Sequence, residues 1–228
     1  MGRLFVVATP LGNLEDLSPR ATRTLCEAKV VFAEDTRVTG PLLQRIGSHA
    51  RLVALHAHNE AQASEQLCKA IDEHELVALV SDAGTPLVSD PGSRAVSAAV
   101  EAGHEVIPIP GPSAVTAALS AAGFLAVPFA FFGIFERQNK EQNAQILQIA
   151  AWPGAAVFFE TKHRIADTLE RLRDRLGSDR QVAVFRELTK MHEQHYRGTL
   201  AELAKLFADT EVKGELTVVL APPTVHPN

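Results

Sequence analysis

The chain has 228 residues, of which 46% are hydrophobic and 21% are charged. This composition is typical of a folded globular protein, because disordered chains have too little apolar surface to offset the entropy lost on ordering. The net charge of −5 disfavours a protein that coats nucleic acid through bulk electrostatics, which depends on clustered Lys and Arg.

Neither a membrane segment nor a metal site is indicated by the sequence. No apolar run approaches the roughly 20 residues needed to cross a bilayer, so we expect a cytoplasmic protein with no membrane contact. The two cysteines, Cys26 and Cys68, have no CxxC partner, which argues against a disulfide framework and a zinc site. We therefore expect no bound metal.

Short β-rich runs alternate with helical patterns through the first half of the chain. Strands are predicted over 3–8, 30–33, 51–55, 75–80 and 105–109, and helices over 19–28, 38–46, 60–73 and 91–102. This alternation predicts an α/β domain with a mostly parallel, doubly wound sheet. Ser18-Pro19 and Asp90-Pro91 each offer an N-cap followed by a proline, which predicts that helices begin there.

The second half has a different texture, with strand-like runs that follow one another more closely. Strands are predicted over 129–135, 155–160, 181–187, 195–200 and 215–220, and helices over 139–149, 163–176 and 201–208. This order predicts a mixed α/β sheet. The change to small residues with Gly and Pro near residue 120 divides the chain into predicted domains 1–119 and 120–228.

Three loops that follow predicted strands carry the residues of greatest interest. They read TPLGNL (9–14), SDAGTP (81–86) and PGPSA (110–114), and such loops expose backbone N–H and C=O groups to a ligand at the carboxyl edge of the sheet. None has the spacing of a phosphate loop or of a dinucleotide fingerprint, which disfavours a nucleoside triphosphate or a conventionally held dinucleotide. The alternative is that each loop is only a tight turn.

The stretch SDAGTPLVSDPG (81–92) contains Ser-Asp-x-Gly twice, and we expect the two copies to differ in role. In the first copy, a positive φ at Gly84 lets the backbone form a floor under a ligand. In the second copy, Ser89 or Asp90 is predicted to cap the helix that Pro91 begins.

Eight motifs in order resemble those of one family. They are VVATPLGNLEDLSPRA, AEDTR, HNE, VALVSDAGTPLVSDPG, PIPGPSAV, RELTK, RGTL and KGE. They are similar to the motifs of the ribosomal RNA small subunit methyltransferase I family, part of the tetrapyrrole methylase superfamily. The resemblance implies a homodimer with two α/β domains and S-adenosylmethionine in the cleft between them. It also implies methylation of a ribose 2′-hydroxyl of a decoding-site cytidine in small-subunit ribosomal RNA.

The resemblance also implies which residues bind the cofactor. In the first half and at the domain boundary these are Pro10, Leu11, Gly12, Asp82, Gly84, Thr85, Val88, Gly111, Pro112, Ser113 and Ala114. In the second domain they are Phe159, Glu160 and Gly214. The chain departs from the family at GIFERQNK (133–140), where Glu136 replaces a proline, and at TKHR (161–164), where relatives have SPHR.

The predicted catalytic residues are polar side chains able to position or deprotonate a ribose hydroxyl. They are Glu34, Asp35 and Arg37 of the AEDTR motif, together with Lys190. We rank Asp35 and Arg37 first, because a carboxylate and a guanidinium two residues apart can bind a hydroxyl and a phosphate together. The alternative is that Asp35 or Thr36 only caps the following helix.

Two further motifs allow more than one interpretation. His56 and His58 have a spacing that could hold a metal, but a hydrogen-bonding role for His56 and Asn59 beside the substrate is favoured. The charges of RELTK (186–190) suit RNA phosphate contact, a closing salt bridge or simple solvation.

Two other functions remain open. A small-molecule tetrapyrrole (precorrin-type) methyltransferase would share the fold and the cofactor, but its acidic substrate would favour a cationic pocket, which the AEDTR motif fits poorly. A catalytically impaired homologue that binds cofactor or RNA is the other alternative.

Overall fold

The computed structural model describes residues 2–210 and 212–223. The chain divides into two compact units, Met1–Ser113 and Ala114–Asn228. The boundary predicted at 119/120 falls at the end of a helix, Ala114–Ser120, which the division assigns to the second unit.

The first unit is a parallel five-stranded sheet with helices on both faces. Its strands are β1 (Arg3–Val7), β2 (Val30–Ala33), β3 (Arg51–Ala54), β4 (Leu76–Val80) and β5 (Glu105–Ile109), in the spatial order β3-β2-β4-β1-β5. The helices are α1 (Pro19–Glu27), α2 (Thr36–Arg45), α3 (Glu60–Glu73) and α4 (Ser93–Glu101). All four strand pairings are parallel, which confirms the predicted doubly wound fold.

Alternate residues of each strand pack on opposite faces of this sheet, as the two-residue period of a strand requires. Leu4 belongs to the core cluster that includes residues of α3 and α4, whereas Phe5 belongs to the cluster that includes residues of α1 and α2. Both faces are therefore covered, and ligands can reach the sheet only at its ends.

The strand order sets the position of the functional loops. β1 lies between β4 and β5, and β4 also pairs with β2. Because these strands are parallel, their carboxyl ends lie at one edge, and the segments that follow them are neighbours. The loops after β1, β2, β4 and β5 therefore meet.

The second unit contains a mixed sheet in the order β6-β7-β10-β8-β9. The strands are β6 (Phe129–Ile134), β7 (Ala155–Thr161), β8 (Gln181–Arg186), β9 (Gln194–Thr199) and β10 (Glu215–Leu220). The helices are α5 (Ala114–Ser120), α6 (Asn139–Ala151), α7 (Ile165–Leu176) and α8 (Leu200–Asp209). Only β6 and β7 pair in parallel, which confirms the predicted mixed sheet. No helix of the described residues is long and apolar enough to cross a lipid bilayer.

The helix starts agree with the sequence in one case and correct it in another. Ser18 caps α1 as predicted, accepting a hydrogen bond from the Ala21 N–H. The predicted cap at Ser89 or Asp90 is wrong, because α4 begins at Ser93 and its N-cap position is Gly92, which has a φ of 117°.

Candidate functional site

The loops after β1 and β4 are joined by backbone hydrogen bonds. The N–H of Thr9 donates to the carbonyl of Gly84, and the N–H of Gly84 donates to the carbonyl of Thr9, each at 2.9 Å. Gly84 has a φ of 78°, as the sequence predicted, and a Cβ there would lie 3.0 Å from Cδ2 of Leu11. A side chain at this position would therefore strain the backbone and crowd the neighbouring loop.

The loop after β5 completes this cluster. The hydroxyl of Thr85 donates to the carbonyl of Pro112 at 3.1 Å. A Cβ on Gly111 would lie 2.9 Å from Cβ of Ala8, so only glycine permits this close approach to β1. We call these three loops, 8–12, 81–92 and 110–113, the loop cluster. It brings together every cofactor-binding residue predicted in the first unit.

The second half of the loop 81–92 has an unusual backbone. Leu87 and Ser89, on either side of Val88, have φ values of 70° and 72°. Positive φ is costly for residues with side chains and is concentrated at functional sites. Helix α4 is capped from another helix, because Oε1 of Glu60 accepts from the N–H groups of Gly92 (2.9 Å) and Arg94 (3.0 Å).

The AEDTR motif lies beside the loop cluster, at the end of β2. Asp35 is the N-cap of α2, and its Oδ1 accepts from the N–H of Arg37 at 2.8 Å. Its carboxylate also pairs with the Arg37 guanidinium, with an Oδ2–Nη2 distance of 2.5 Å. The helix-capping interpretation of Asp35 is therefore correct, and it coexists with an ion pair to Arg37, whose side chain is 88% exposed.

A hydrogen bond joins this motif to the loop cluster: Oδ1 of Asp82 accepts from the N–H of Asp35 at 2.9 Å. Hydrogen bonds from Arg37 lower the pKa of Asp35 to about 2. Burial is the main cause that raises the pKa of Glu34, and the nearby charges of Asp90 and Asp82 raise it further. Burial likewise raises the pKa of Asp82, and it raises that of Asp90 to about 6. At this edge of the sheet, one carboxyl with a lowered pKa, Asp35, therefore lies near three whose pKa values are raised, Glu34 of the motif and Asp82 and Asp90 of the loop cluster.

An open groove of about 610 Å³ lies between the residues that follow β1 and helix α2. Its apolar walls include Leu11 and Leu14 on one side and Val38 and Pro41 on the other. Ser81, Asp82, Gln44 and Arg45 supply polar atoms. Sequence analysis did not predict this groove, because its walls come from segments that are separate in the sequence.

Lys190 is held by two carboxylates in the second unit. Its Nζ lies 3.1 Å from Oε1 of Glu187 and 2.9 Å from Oε2 of Glu215. Burial opposes the charged form, but the hydrogen bonds to Glu215 and Glu187 outweigh it and raise the pKa of Lys190. Of the groups considered in RELTK, Glu187 and Lys190 form a salt bridge, and both ion pairs of Lys190 lie within the second unit. Gly214, with a φ of 95°, leaves no room for a Cβ beside Glu187.

Glu160 lies inside the second unit, and its side chain has no exposed area. One oxygen accepts from the Thr161 N–H at 2.6 Å and lies 2.6 Å from the Arg164 guanidinium, and the other accepts from the Thr168 hydroxyl at 2.7 Å. This carboxylate is buried and its oxygens already have partners within the second unit, so its role is structural. The ring of its neighbour Phe159 packs edge-on against Phe131.

The motif HAHNE is used for local structure. The side chain of Asn59 accepts from the His56 N–H at 2.8 Å and donates to the Ala54 carbonyl at 2.9 Å. Nδ1 of His56 is buried without a hydrogen-bond partner. No group of three or more potential metal ligands lies together in residues 2–210 and 212–223.

The fold and the loop cluster define a tetrapyrrole (corrin/porphyrin) methylase, and the model of that family matches residues 3–204. A solved structure of uroporphyrin III C-methyl transferase from Thermus thermophilus, complexed with S-adenosyl homocysteine, has the same fold. It superposes with a TM-score of 0.68 at 20% identity, covering 96% of this chain and 97% of that one.

Relatives of higher identity define the group within this class. A ribosomal RNA small subunit methyltransferase I from Mesorhizobium japonicum is 44% identical over 96% of this chain and 75% of its own length. Another, from Escherichia coli O157:H7, is 42% identical over 96% of this chain and 77% of its own length. The chain therefore belongs to the ribosomal RNA small subunit methyltransferase I family, which confirms the resemblance found in its motifs.

Proposed function

We propose that this chain transfers a methyl group from S-adenosylmethionine to the ribose 2′-hydroxyl of the decoding-site cytidine in 16S ribosomal RNA. Membership of the family supports a methyltransferase of ribosomal RNA. The observation that carries the proposal is the direct hydrogen bond between Asp82 of the loop cluster and Asp35 of AEDTR. It joins a cofactor-binding region to a group of polar side chains able to act on a hydroxyl.

The loop cluster suits S-adenosylmethionine by its chemistry. Residues 10–12, 84–85, 88 and 111–114 present mainly backbone groups and small side chains, which can approach an adenosine closely. Asp82 accepts one hydrogen bond from Asp35, and a carboxylate has further lone pairs for the hydroxyls of a ribose. In the second unit, we propose contacts from Phe159, Gly214 and the backbone of Glu160.

When bound, the cofactor supplies a methyl group on a sulfonium sulfur. The ribose oxygen forms a bond to that methyl carbon as the carbon–sulfur bond breaks, and the hydroxyl proton must pass to a base. Alignment and proton removal are therefore the protein's main tasks.

Among the predicted catalytic residues, Glu34 is best suited to accept this proton. Its pKa is raised by burial and by neighbouring carboxylates, and a base works best when its pKa lies near the working pH. Asp35, with a pKa of about 2, is a weak base and serves to hold Arg37. The exposed guanidinium of Arg37 can bind a phosphate next to the reacting ribose.

Lys190 contributes as a fixed cation. Its raised pKa keeps it protonated at neutral pH, so it cannot serve as the base, and its two ion pairs fix the loop after β8 beside Gly214.

Two further proposals follow from the function. A ribosomal substrate implies that the reaction occurs in the cytoplasm. We also propose that the enzyme is a homodimer, as the resemblance to its family implies.

The test is methyl transfer from labelled S-adenosylmethionine to purified small subunits that lack the modification, followed by mapping of the methylated nucleotide. Glu34→Gln and Arg37→Ala should each lower turnover roughly 10²-fold, the usual scale for losing a positioned acid–base group. Asp35→Asn should have a similar effect because it releases Arg37.

Calorimetry with S-adenosylhomocysteine supplies the control. The affinity for S-adenosylhomocysteine should stay within a few-fold in these three variants, because the proposed roles of the three side chains are towards the RNA and its hydroxyl and not towards the cofactor. Gly111→Trp should abolish binding, since even a Cβ there would meet Ala8. Methylation at the wild-type rate by all three variants would show that AEDTR is only a helix cap. Cofactor binding without any methylation of subunits by the wild type would identify an impaired homologue.

A further inference from the structure

We propose that the groove between residues 10–14 and α2 holds the target nucleoside of the RNA, extruded from its stack. This inference rests on the proposed function and adds to it a binding site for the base. Enzymes that do chemistry on a base extrude its nucleotide from the stack into a pocket, and extrusion also exposes the ribose 2′-hydroxyl of that nucleotide to a cofactor.

The size and walls of the groove suit a nucleobase. Its volume of about 610 Å³ lies within the range of small-molecule sites, roughly 300–1,000 Å³. Leu14 is 42% exposed and Val38 is 48% exposed. In the described part of the first unit, the exposed large hydrophobic residues are Leu14, Val38 and Val100, and the first two line this groove. Apolar side chains on opposite walls can stack on the two faces of a base.

Polar groups in the groove match the edge of a base. Gln44 and Arg45 are exposed at the end of α2, and neither side chain bonds to another residue that the structure describes. A glutamine amide both donates and accepts hydrogen bonds, whereas a guanidinium only donates. Together they can pair with the mixed donors and acceptors of a pyrimidine edge.

The two ends of the groove give the nucleoside a direction. Ser81 and Asp82 line it where β4 ends, and Asp82 accepts a hydrogen bond from Asp35 of the AEDTR motif, so the ribose belongs at this end, beside the proposed catalytic residues. Arg37 lies in the first turn of α2, and its guanidinium is fixed by Asp35 while remaining 88% exposed. It can therefore bind the phosphate beside an extruded nucleotide.

The test fills the groove from a position outside the proposed cofactor residues. Val38→Trp adds a large side chain to one wall, and the matched control is Val100→Trp, which changes a 58% exposed valine on α4. Val38→Trp should lower methylation of small subunits at least roughly 10-fold, with the affinity for S-adenosylhomocysteine changed less than about twofold. Val100→Trp should change neither quantity.

A second measurement reports the position of the base without catalysis. An RNA that carries pyrrolo-cytidine at the methylated position should gain fluorescence when it binds the wild type or Val100→Trp, because the base leaves its stack. Val38→Trp should abolish this gain.

Gln44→Ala with Arg45→Ala should reduce the preference for cytidine over uridine at this position about 10-fold.

The outcomes separate the two proposals. An inactive wild type would refute the proposed function, and the nucleoside site with it. An active wild type with normal methylation by Val38→Trp would refute only the nucleoside site. A loss of S-adenosylhomocysteine affinity in Val38→Trp that matches its loss of methylation would assign the groove to the cofactor instead.

Discussion

The ionised carboxyl group of Asp90, in the loop cluster, is expected to lower the free energy of unfolding of this protein. Burial raises its pKa from 3.8 to about 6, and the charge of Asp82 adds to this rise, while a hydrogen bond from Ser81 opposes it. The substitution Asp90→Asn keeps the size of the side chain and an oxygen that can accept from Ser81, but removes the charge.

The sign of the effect follows from proton linkage. A carboxyl with a raised pKa in the folded state binds protons more tightly when folded, so the native state loses stability as the pH rises. The loss of free energy of unfolding caused by ionised Asp90 is small below pH 4. It grows between pH 4 and pH 6 and is complete above pH 6. A rise from 3.8 to about 6 corresponds to at most about 3 kcal/mol. Because Asp90 is partly exposed, screening by solvent reduces this to about 1–2 kcal/mol.

Urea denaturation followed by far-UV circular dichroism at several pH values tests this directly. Asp90→Asn should be more stable than the wild type by about 1–2 kcal/mol at pH 7.5, with little gain at pH 4. Asp35→Asn is the contrasting variant, because Arg37 lowers the pKa of Asp35 to about 2. It should be destabilised at pH 7.5, with the difference disappearing as the pH falls from about 4 towards 2. Fluorescence of the single tryptophan, Trp152 in the second unit, controls for unfolding elsewhere.

A gain for Asp90→Asn that is the same at pH 4 and pH 7.5 would refute the reasoning, since an effect of packing alone does not depend on pH. A loss of stability at pH 7.5 would show that the ionised carboxylate is stabilised by its surroundings.

Two other predictions concern the capping of α4 and the assembly. Glu60→Ala should cost roughly 1–3 kcal/mol and speed hydrogen exchange in residues 93–101, because Oε1 of Glu60 accepts from Gly92 and Arg94. Glu60→Gln should retain most of the protection, and unchanged exchange in Glu60→Ala would contradict the capping role. Light scattering at micromolar concentration should give about twice the 24.6 kDa mass of one chain, whereas a value near that mass would exclude the dimer.

Local sequence patterns determined most of the secondary structure. The predicted strands and helices of both halves match the observed ones to within a few residues, because the periodicity of apolar residues sets which face of an element is buried. Ser18 could be identified as the cap of α1 because its partner lies three residues away. Helix α5 was missed, since its run of small residues has no marked N-terminal signal.

The candidate site was predictable only in part. Loops after parallel strands must meet at one edge, so the association of residues 9–12, 81–86 and 110–113 follows from strand order alone. The Ser-Asp-Pro-Gly sequence at 89–92 looked like a cap, but positive φ values at Ser89 and Gly92 turn the chain before a helix can begin.

The electrostatic character of the site was decided by the tertiary structure. Glu60 caps a helix that begins more than thirty residues later in the sequence. Lys190, in the loop after β8, pairs with Glu215, the first residue of β10. The opposite pKa shifts of Asp35 and Asp90 depend on one carboxyl meeting a guanidinium and the other losing contact with water. Residue types and spacing identified the polar groups of this protein, but burial and long-range contacts, which no local pattern encodes, determined the direction in which the pKa of each carboxyl shifts.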